Sequence, residues 1–549
     1  MRQLIQNALI VTGDGRSEPF EGNVLIVNDR IGHLGDVPRS AIRDVDLTLD
    51  ARTRVLAPGF VDTHNHGLLA GTRIGQHGIP IACELSLSGG VTKRICGVDG
   101  LSPAPVTPNQ RLEYAAQLAT MDGTIDGEWT WSSVVEFYNW YQGRSIIDMG
   151  LYLGHGSVRR AVMGNEARPA TEDEIRNMCV LVREEAKWTL GLSTGLVYNP
   201  AVYSDTAEIT SLIRAFNEVK PAALFPHLRS ESDQILPALD EVLVAAIEGG
   251  GGYCNEHSKI AGSRNWDKYQ AITDRLADAA EIIPTMENMY PYAAGSTTGD
   301  TIFPPEIRGG TREEFLARLT DPGLLRVAHE KTLGDTTSWD NFVVFCGGFD
   351  GVQIAGIYEG AGDEFLGCRL GDVARASGHS NLSSYGAYEA VADFFLANRG
   401  AVSIISHYGN EGTVERFFRR PSMAICTDGL VPGPGQKPHP RSLGAFPKAL
   451  RMARELEIPL EEIVFRLSTL PCRFLGLKSP ILAPGSDASL VMFDWDKVRE
   501  CNDFDDPLVA PEGIDAVWVH GDLVHEHGRF HVPTEFRGRI LMSEPGVTY

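Results

Sequence analysis

The two ends of the chain share one pattern of apolar and polar positions. In residues 1–56, short runs of Val, Ile and Leu stand between Gly, Asn and Asp, as in NALIVTGDG and NVLIVNDRIGHLGD. The same texture returns from residue 482, in GSDASLVMFDW and AVWVHGDLVHEHGRF. Short β-branched runs that end in turn-forming residues are typical of hairpins. Both ends are therefore predicted to be β-rich.

Between these ends, short buried strands alternate with longer helical stretches. This alternation over ~400 residues is typical of a parallel (β/α)8 barrel or a doubly wound sheet. Residues 297–345 interrupt the rhythm, and we predict an insertion there that can act as a lid. The predicted strands are 148–157, 224–229, 252–259, 282–286, 401–407 and 422–429, and the predicted helices are 171–189, 233–250, 264–280 and 384–400.

The pattern divides the chain into three segments. Residues 57–481 would form the barrel together with its insertion. Residues 1–56 and 482–549 would form one β-rich domain that both ends of the chain share. A shared domain explains why the hairpin texture appears twice, so an α/β protein with a barrel and a small β domain is predicted.

Composition narrows the class of protein. Hydrophobic residues make up 43% and charged residues 22% of the 549 positions, as in ordinary globular proteins. The 72 Asp and Glu against 49 Lys and Arg give a net charge of −23, which argues against nucleic acid as a partner. No segment resembles a signal peptide or a membrane span of ~18–20 apolar residues. The nine scattered cysteines contain no C-x-x-C pair, which favours reduced thiols and a cytoplasmic protein.

Two histidines follow the first predicted barrel strand, in VDTHNH at residues 61–66. His64 and His66 are two residues apart, so in a strand both rings point to the same face. A pattern this short arises often by accident and does not establish a metal site. Barrel enzymes carry their chemistry at the carboxyl ends of the strands. The residues at the other strand ends therefore indicate whether His64 and His66 belong to a metal site.

Other predicted strand ends carry the same kinds of side chain. His227 stands in LFPHLR, His257 in GYCNEHSK and Asp428 in SMAICTDG. In a closed barrel, all of these residues meet on one rim. Imidazole and carboxylate ligands suit zinc, and a catalytic zinc site keeps one position open for water. The joint pattern therefore predicts a catalytic metal site.

Several longer motifs resemble the N-acyl-D-amino-acid deacylases (D-aminoacylases) of the amidohydrolase superfamily. The resemblance runs from the first strands to the C-terminal sheet and weakens in 297–345. It implies a distorted (β/α)8 barrel with a small β-sandwich built from both termini. The matching motifs are APGFVDTHNH (57–66), a glycine-rich stretch ending in AP (89–105), GHGSVRRAVMG (154–164), GLSTGLVYNP (191–200), HLRSESD (227–233), HSKIAGSRNW (257–266), YPYAAGST (290–297), TDGL (427–430) and HPRSLGAFPKAL (439–450).

The resemblance implies a role for each rim residue. His227 and His257 are the implied ligands of a firmly held zinc ion, and His64 and His66 those of a second, weaker site. Asp428 is implied as a metal ligand and as the catalytic acid and base. One or two zinc ions per chain are expected, and the sequence leaves their number open.

The resemblance also implies how a substrate carboxylate is held. Lys259, Tyr290 and Ser296 correspond to the residues that bind it in the family. Tyr198 and Arg441 lie in matching motifs and are further candidates for substrate binding. The expected partner is therefore a small molecule that carries a carboxylate, and the oligomeric state stays open.

The chain departs from the family at the residue that bridges the two metals. The family has a cysteine in G-N-C-G, whereas this chain reads G-V-D-G, with Asp99 at that position and Cys96 three residues earlier. If the strand continues in register, the side chains at 96 and 99 point to opposite faces, so both cannot bridge. The LSPAP that follows aligns Asp99 with the bridging position. A carboxylate can also bridge two zinc ions, so Asp99 is favoured over Cys96.

The other candidate groups give weaker evidence for a catalytic role. GLSTG at 191–195 fits the nucleophile-elbow pattern, but LVYNP follows where that motif needs a helix, so a serine hydrolase is rejected. His155 and His407 are predicted to be core or supporting residues. His439, close to Arg441, is near enough in sequence to approach the site.

The predicted function is zinc-dependent hydrolysis of the amide bond of N-acyl-D-amino acids, giving a carboxylate and a free D-amino acid. The preference for D substrates rests on the resemblance alone, and the acyl and side-chain preferences stay open. One alternative is hydrolysis of a cyclic amide, or of another amide outside the amino acids, by the same metal chemistry. A catalytically inactive barrel used as a scaffold is the remote alternative.

Overall fold

The computed structural model describes residues 1–544 of the chain. Its strands are β1 (Arg2–Ile10), β2 (Phe20–Val27), β3 (Arg30–Gly35), β4 (Leu47–Asp50), β5 (Val55–Pro58), β6 (Phe60–Asp62), β7 (Val91–Cys96), β8 (Asp148–Leu151), β9 (Leu153–Gly154), β10 (Leu192–Gly195), β11 (Ala223–His227), β12 (Gly252–Asn255), β13 (Thr285–Met289), β14 (Gly295–Thr298), β15 (Val352–Ile357), β16 (Val402–Ser406), β17 (Met423–Ile425), β18 (Leu490–Phe493), β19 (Ile514–Val519), β20 (Asp522–Glu526) and β21 (Arg529–Phe530).

The helices lie mainly between the barrel strands and in the insertion. They are α1 (Ile81–Ser88), α2 (Arg111–Leu118), α3 (Val134–Tyr141), α4 (His155–Met163), α5 (Glu172–Glu185), α6 (Thr206–Asn217), α7 (Ile235–Glu248), α8 (Tyr269–Ala280), α9 (Pro305–Arg308), α10 (Arg312–Leu319), α11 (Pro322–Gly334), α12 (Phe342–Phe345), α13 (Leu370–Ala376), α14 (Tyr385–Ala397), α15 (Glu411–Phe418), α16 (Arg441–Glu455) and α17 (Leu460–Phe474). Short 3₁₀ helices occupy Ala70–Thr72, Pro108–Gln110, Ala186–Trp188, Ala201–Tyr203, Ser263–Lys268, Gly299–Ile302, Phe349–Gly351 and Asp363–Phe365.

Eight parallel strand positions close into a barrel in the described part of the chain. β6, β7 and β8 pair in parallel, and β9 to β13 continue in parallel to β17. β8 and β9 are one strand interrupted at Tyr152, and a parallel bridge from Asn65 to Gly429 joins the two edges. The interior is packed with large side chains such as Tyr152 and Phe225, whose rings stack 3.9 Å apart. The predicted α/β barrel fold is confirmed.

Strands from both ends of the chain form one sheet. Its order is β21-β20-β19-β18-β5-β1-β2-β3, and β4 pairs with the first half of β1 on the same side as β5. β5 joins the two halves, because it pairs in parallel with β1 and antiparallel with β18, where Leu490 lies opposite Pro58. Ile5 and Trp518, one from each half, are buried in the same apolar cluster. The structure therefore contains the predicted shared sheet, whereas the exact domain boundaries remain predictions.

The insertion is larger than the sequence indicated. β14, β15 and β16 form a separate sheet in which β16 is antiparallel to both neighbours. Helices α9 to α14 cover this sheet around an apolar core of its own. The strand predicted at 401–407 is β16, so its assignment to the barrel alternation was wrong. An apolar run of this length, buried on both faces, looks the same in a parallel and in an antiparallel sheet.

Most other elements lie near their predicted positions. The helices predicted at 171–189 and 233–250 are α5 and α7, each shorter by a few residues. The strand predicted at 148–157 was too long, because α4 begins at His155. The strand predicted at 282–286 lies about three residues later, as β13, after Pro284, which cannot donate a backbone hydrogen bond to a sheet.

Candidate metal centre

The predicted metal ligands come together at the carboxyl ends of the barrel strands. His64 and His66 follow β6, and Asp99 follows β7. His227 is the last residue of β11, His257 lies two residues after β12, and Asp428 lies three residues after β17. All six side chains are buried. The common direction of parallel strands therefore brings together residues that are more than 350 positions apart in the chain.

These side chains form two groups that share one carboxylate. His64, His66, Asp99 and Asp428 form the first group, in which the candidate ligand atoms all lie within 4.8 Å of one another. Asp99 also belongs to the second group, with His227 and His257, within the same limit. Its side chain therefore stands between the two groups.

The distances around Asp99 match the spacing of ligands around an ion. Its Oδ1 lies 3.5 Å from His64 Nε2, 3.5 Å from His227 Nδ1 and 3.3 Å from His257 Nε2. Its Oδ2 lies 3.4 Å from His66 Nε2. Two ligand atoms that each lie about 2.0–2.2 Å from a tetrahedral zinc ion are roughly 3.3 Å apart. The atoms are thus farther apart than in a good hydrogen bond and placed as co-ligands would be.

Several of the ring nitrogens have no other partner in the described part of the chain. Nε2 of His64, Nε2 of His66 and both ring nitrogens of His227 are buried without a hydrogen-bond partner. A buried polar atom left unpaired destabilises the folded protein by about 1–3 kcal/mol. An ion in each group would satisfy Nε2 of His64, Nε2 of His66 and one ring nitrogen of His227, so the residues present fit the predicted metal.

Two carboxylates that the sequence prediction missed orient the histidines. Glu256 contacts Nδ1 of His64 and also accepts a hydrogen bond from Asn288 Nδ2 at 3.0 Å. Glu231 lies 3.1 Å from His257 Nδ1 and 3.7 Å from His227 Nε2. A carboxylate on the far nitrogen of a ligand histidine fixes its ring and its tautomer. The only signal in the sequence was proximity, since Glu256 precedes His257 and Glu231 lies four residues after His227.

Three of the rim residues have an unusual backbone conformation. φ is 54° at Asp99, 34° at His257 and 46° at Asp428. Side chains other than glycine rarely adopt positive φ, and such residues cluster at functional sites. The backbone at these three positions is therefore held in place by its surroundings.

Burial and charge set the protonation of the cluster in the metal-free protein. Burial lowers the pKa of His66, but Asp428 and Asp99 outweigh it and raise the pKa to about 10. Burial and Lys259 lower the pKa of His257, but Glu231 and Asp99 raise it to about 9. Burial raises the pKa of Asp428, yet Arg441 and His66 hold it well below its usual value. Protons on His66 and His257 thus balance the carboxylates, and a bound ion would displace them.

A cavity of about 370 Å³ opens onto these ligands. The predicted substrate-binding residues Lys259, Tyr290, Ser296, Tyr198 and Arg441 all line it. Phe342 and Phe345 of the insertion line it as well, so the insertion does cover the site. Whether it moves as a lid stays a prediction.

The polar groups of this cavity already have protein partners. Lys259 Nζ donates to Glu231 Oε1 at 2.7 Å, and Ser296 Oγ donates to the carbonyl of Ile404 at 2.8 Å. The Tyr290 hydroxyl is 2.8 Å from that of Tyr408. These side chains are therefore fixed in position before any ligand arrives, and a ligand would have to share them.

Arg441 and Tyr198 connect the cavity wall to the ligand cluster. Arg441 places Nη1 2.8 Å from Asp428 Oδ2 and donates from Nη2 to the carbonyl of Ser296 at 3.0 Å. The Tyr198 hydroxyl lies 3.4 Å from Asp99 Oδ2 and 2.9 Å from Thr297 Oγ1. Both side chains thus reach the carboxylates that the metal groups use.

Cys96 lies outside both groups. Its side chain packs in a cluster with Leu68, Leu101 and Leu151, and burial raises the pKa of its thiol to about 12. A metal binds the thiolate, which is scarce at neutral pH when the pKa is this high. The geometry at this position therefore favours Asp99.

The remaining candidates are not among the described metal groups. His155 pairs with Glu208, and His407 lies 2.9 Å from Gln353 Oε1. His439 Nε2 contacts the carbonyl of Ala294 at 3.0 Å. In GLSTG, β10 is followed by a loop and a 3₁₀ helix, and α6 begins only at Thr206, so no nucleophile elbow forms.

Comparisons with known proteins cover the whole chain. No family model matches it. The chain is 27% identical to the N-acyl-D-aspartate deacylase of Alcaligenes xylosoxydans xylosoxydans over 558 residues, 100% of this chain and 96% of that protein. It is 28% identical to the N-acyl-D-glutamate deacylase of the same organism over 551 residues, 97% of this chain and 95% of that protein. The chain is a homologue of the D-amino-acid deacylases.

A solved structure shares the fold. The N-acyl-D-glutamate deacylase from Bordetella bronchiseptica, complexed with zinc and a phosphonate inhibitor, superposes with a TM-score of 0.77 at 24% identity and covers 98% of this chain and 99% of that chain. The resemblance to D-amino-acid deacylases predicted from the sequence is thus confirmed, together with the fold. No helix within residues 1–544 has the length and apolar character needed to cross a membrane.

Proposed function

We propose that this protein hydrolyses the amide bond of N-acyl-D-amino acids with the help of one or two bound zinc ions. The observation that carries the proposal is the pair of ligand groups that share Asp99, in a homologue of D-amino-acid deacylases along its whole length. The preference for D substrates comes from the names of these relatives. A zinc ion appears in the solved relative, and the donor atoms here suit the same metal.

Each ligand role follows from the contacts around the shared carboxylate. His227 and His257 would hold the first ion together with Asp99, and His64 and His66 would hold the second together with Asp99 and Asp428. The unpaired ring nitrogens and the spacing of about 3.3–3.5 Å support this division. A bridging carboxylate supplies the negative charge that two neighbouring cations need.

The residues of this chain would then move the proton. Bound zinc lowers the pKa of water to about 7 and polarises the amide carbonyl. Asp428 is kept ionised by Arg441, so its carboxylate is ready to accept a proton from water beside His66. The same carboxyl group would return this proton to the nitrogen of the leaving amine, without which the C–N bond breaks slowly.

Other side chains would orient the substrate. Lys259 and the hydroxyl groups of Tyr290 and Ser296 would hold the α-carboxylate in this cavity. Charge-assisted hydrogen bonds of this kind favour an N-acyl amino acid over a neutral amide. Tyr198 and Arg441 would bind oxygen atoms of the substrate near Asp99 and Asp428, because both side chains already reach these carboxylates.

A substrate panel tests the proposal. N-acetyl-D-amino acids and their L enantiomers should be incubated with the protein, zinc being measured on the same sample, and turnover is expected for D substrates only. Hydantoin and dihydrouracil serve as matched cyclic amides that lack the α-carboxylate. Faster hydrolysis of the cyclic amides would favour the alternative enzyme. Bound zinc with no turnover of any amide would favour the inactive scaffold.

Glu256 offers a test of the metal site that does not need the substrate. Glu256→Gln should weaken zinc binding at the His64 site by about 10- to 100-fold, because the carboxylate no longer holds the far nitrogen of that ring. Elemental analysis after dialysis against a graded chelator measures the effect. Glu287→Gln, at a buried carboxylate of β13 that pairs with Arg420, is the control and should leave zinc content unchanged. Equal loss of zinc in both variants would contradict the orienting role.

The cellular location and the partner are also proposals. A small molecule that carries a carboxylate is the proposed partner. A cytoplasmic location remains a prediction, supported by the nine cysteines, all of which are free thiols in the structure.

A further inference from the structure

A buried carboxylate of the insertion, that of Asp340, binds the loop between β11 and α7. Asp340 lies between α11 and α12, and only 4% of the residue is exposed. Its Oδ1 accepts hydrogen bonds from the hydroxyl groups of Ser230, at 2.8 Å, and of Ser232. Its Oδ2 accepts one from the backbone N–H of Glu231 at 3.2 Å. Three successive residues of the loop thus share one acceptor group, which the insertion supplies.

Glu231, the middle residue of this loop, touches the histidines of one ligand group. Its Oε1 lies 3.1 Å from His257 Nδ1 and accepts a hydrogen bond from Lys259 Nζ at 2.7 Å. Its Oε2 lies 3.7 Å from His227 Nε2. A carboxylate in such a position orients the rings and raises the affinity for the metal. Because the backbone N–H of Glu231 is bound to Asp340, the position of this carboxylate depends on the insertion.

The same stretch of the insertion reaches the metal cavity. Phe342 and Phe345, two and five residues after Asp340, line that cavity. Asn341 caps the start of α12 and donates from Nδ2 to the carbonyl of Thr332, in α11, at 2.9 Å. Asp340 therefore lies where the part of the insertion that covers the cavity meets the loop that carries Glu231.

We propose that Asp340 is a positioning residue of the metal centre, which holds Glu231 in place and thereby sets the zinc affinity of the His227 and His257 site. This inference rests on the ligand roles of the proposed function. The insertion would then contribute to metal binding, although none of its residues belongs to either ligand group within residues 1–544. Asp340 would act through Glu231 and would not itself touch zinc or substrate.

The zinc affinity of one site at a time tests the proposal. His66→Ala removes a ligand of the other group, so the zinc that this variant still binds reports the His227 and His257 site. In this background, Asp340→Asn should raise the Kd for zinc, measured by competition with a chelator, by about 10-fold. The amide keeps the size of the side chain but has one acceptor oxygen for three donors. In a His227→Ala background, Asp340→Asn should leave the Kd of the remaining site unchanged.

A double-mutant cycle shows whether Asp340 acts through Glu231. In the His66→Ala background, Glu231→Gln should raise the Kd by about 10- to 100-fold. Adding Asp340→Asn should then change the Kd by less than about twofold, because the residue through which it acts has already lost its function. Asp335→Asn is the matched control, since this carboxylate accepts hydrogen bonds within the insertion itself, and it should leave the Kd unchanged.

The outcomes separate positioning from a general structural role. An unchanged Kd in the His66→Ala background, equal rises in both backgrounds, or additive effects in the cycle would overturn the inference. If Asp340→Asn does not fold, Ser230→Ala combined with Ser232→Ala removes two donors from the other side of the same contact, and the same rise is expected. Zinc binding is measured without substrate. A rise confined to the His66→Ala background, in a protein whose unmodified form hydrolyses no amide, would therefore overturn the proposed function and support the role of Asp340.

Discussion

Asp99→Ala is expected to lower zinc content below that of the unmodified protein and to reduce kcat/KM by on the order of 100-fold or more. The reason is that both oxygens of this carboxylate face histidines, Oδ1 those of the second group and Oδ2 His66. Without its charge, two cations ~3.5–4 Å apart would repel each other uncompensated, so the ion at His64 and His66 should leave first. Zinc per chain and kcat/KM, measured on the same preparation, test this.

Two variants make the test specific. Cys96→Ala should retain zinc and activity, because this thiol packs among apolar side chains outside both ligand groups. Asp99→Cys restores the residue type of the family motif and should recover part of the zinc, with a shift towards metals that prefer sulfur. Loss of activity in Cys96→Ala together with a silent Asp99→Ala would show that the thiolate is the bridge.

Asp428→Asn is expected to reduce kcat by about 10²- to 10⁴-fold while the first ion stays bound. The amide keeps the size of the side chain but accepts no proton, and His227 and His257 do not depend on it. Single-turnover kinetics with an N-acetyl-D-amino acid, together with zinc content, measure the two effects separately. A kcat within tenfold of the unmodified protein would mean that another group moves the proton.

The barrel and its ligands could be predicted because they follow from local patterns. Parallel strands joined by helices all direct their carboxyl ends to one rim of the barrel. A polar residue that follows a buried strand is therefore expected at this rim. His64 and Asp428 follow such strands, His227 ends one, and all three reach the rim. The same reasoning failed at β16, because the sequence of an apolar strand does not indicate to which sheet the strand belongs.

The partners of the ligands could not be predicted, because they depend on contacts between strands. Glu256 reaches His64 across the barrel, although the two are 192 residues apart. Lys259 was expected to bind a substrate carboxylate, yet Glu231, in the loop after the neighbouring strand β11, already pairs with it.

The sheet built from both ends of the chain has a consequence for synthesis on the ribosome. β5 can pair with β18 only after about 430 further residues have been made, counted from Pro58 to Leu490. At about 5–20 residues per second, this interval lasts roughly 20–90 s. During that time the edge of β5 presents unpaired backbone groups, which is the condition under which strands join other chains. We therefore expect the nascent protein to need chaperones that shield its first strands for longer than a protein with two sequential domains would.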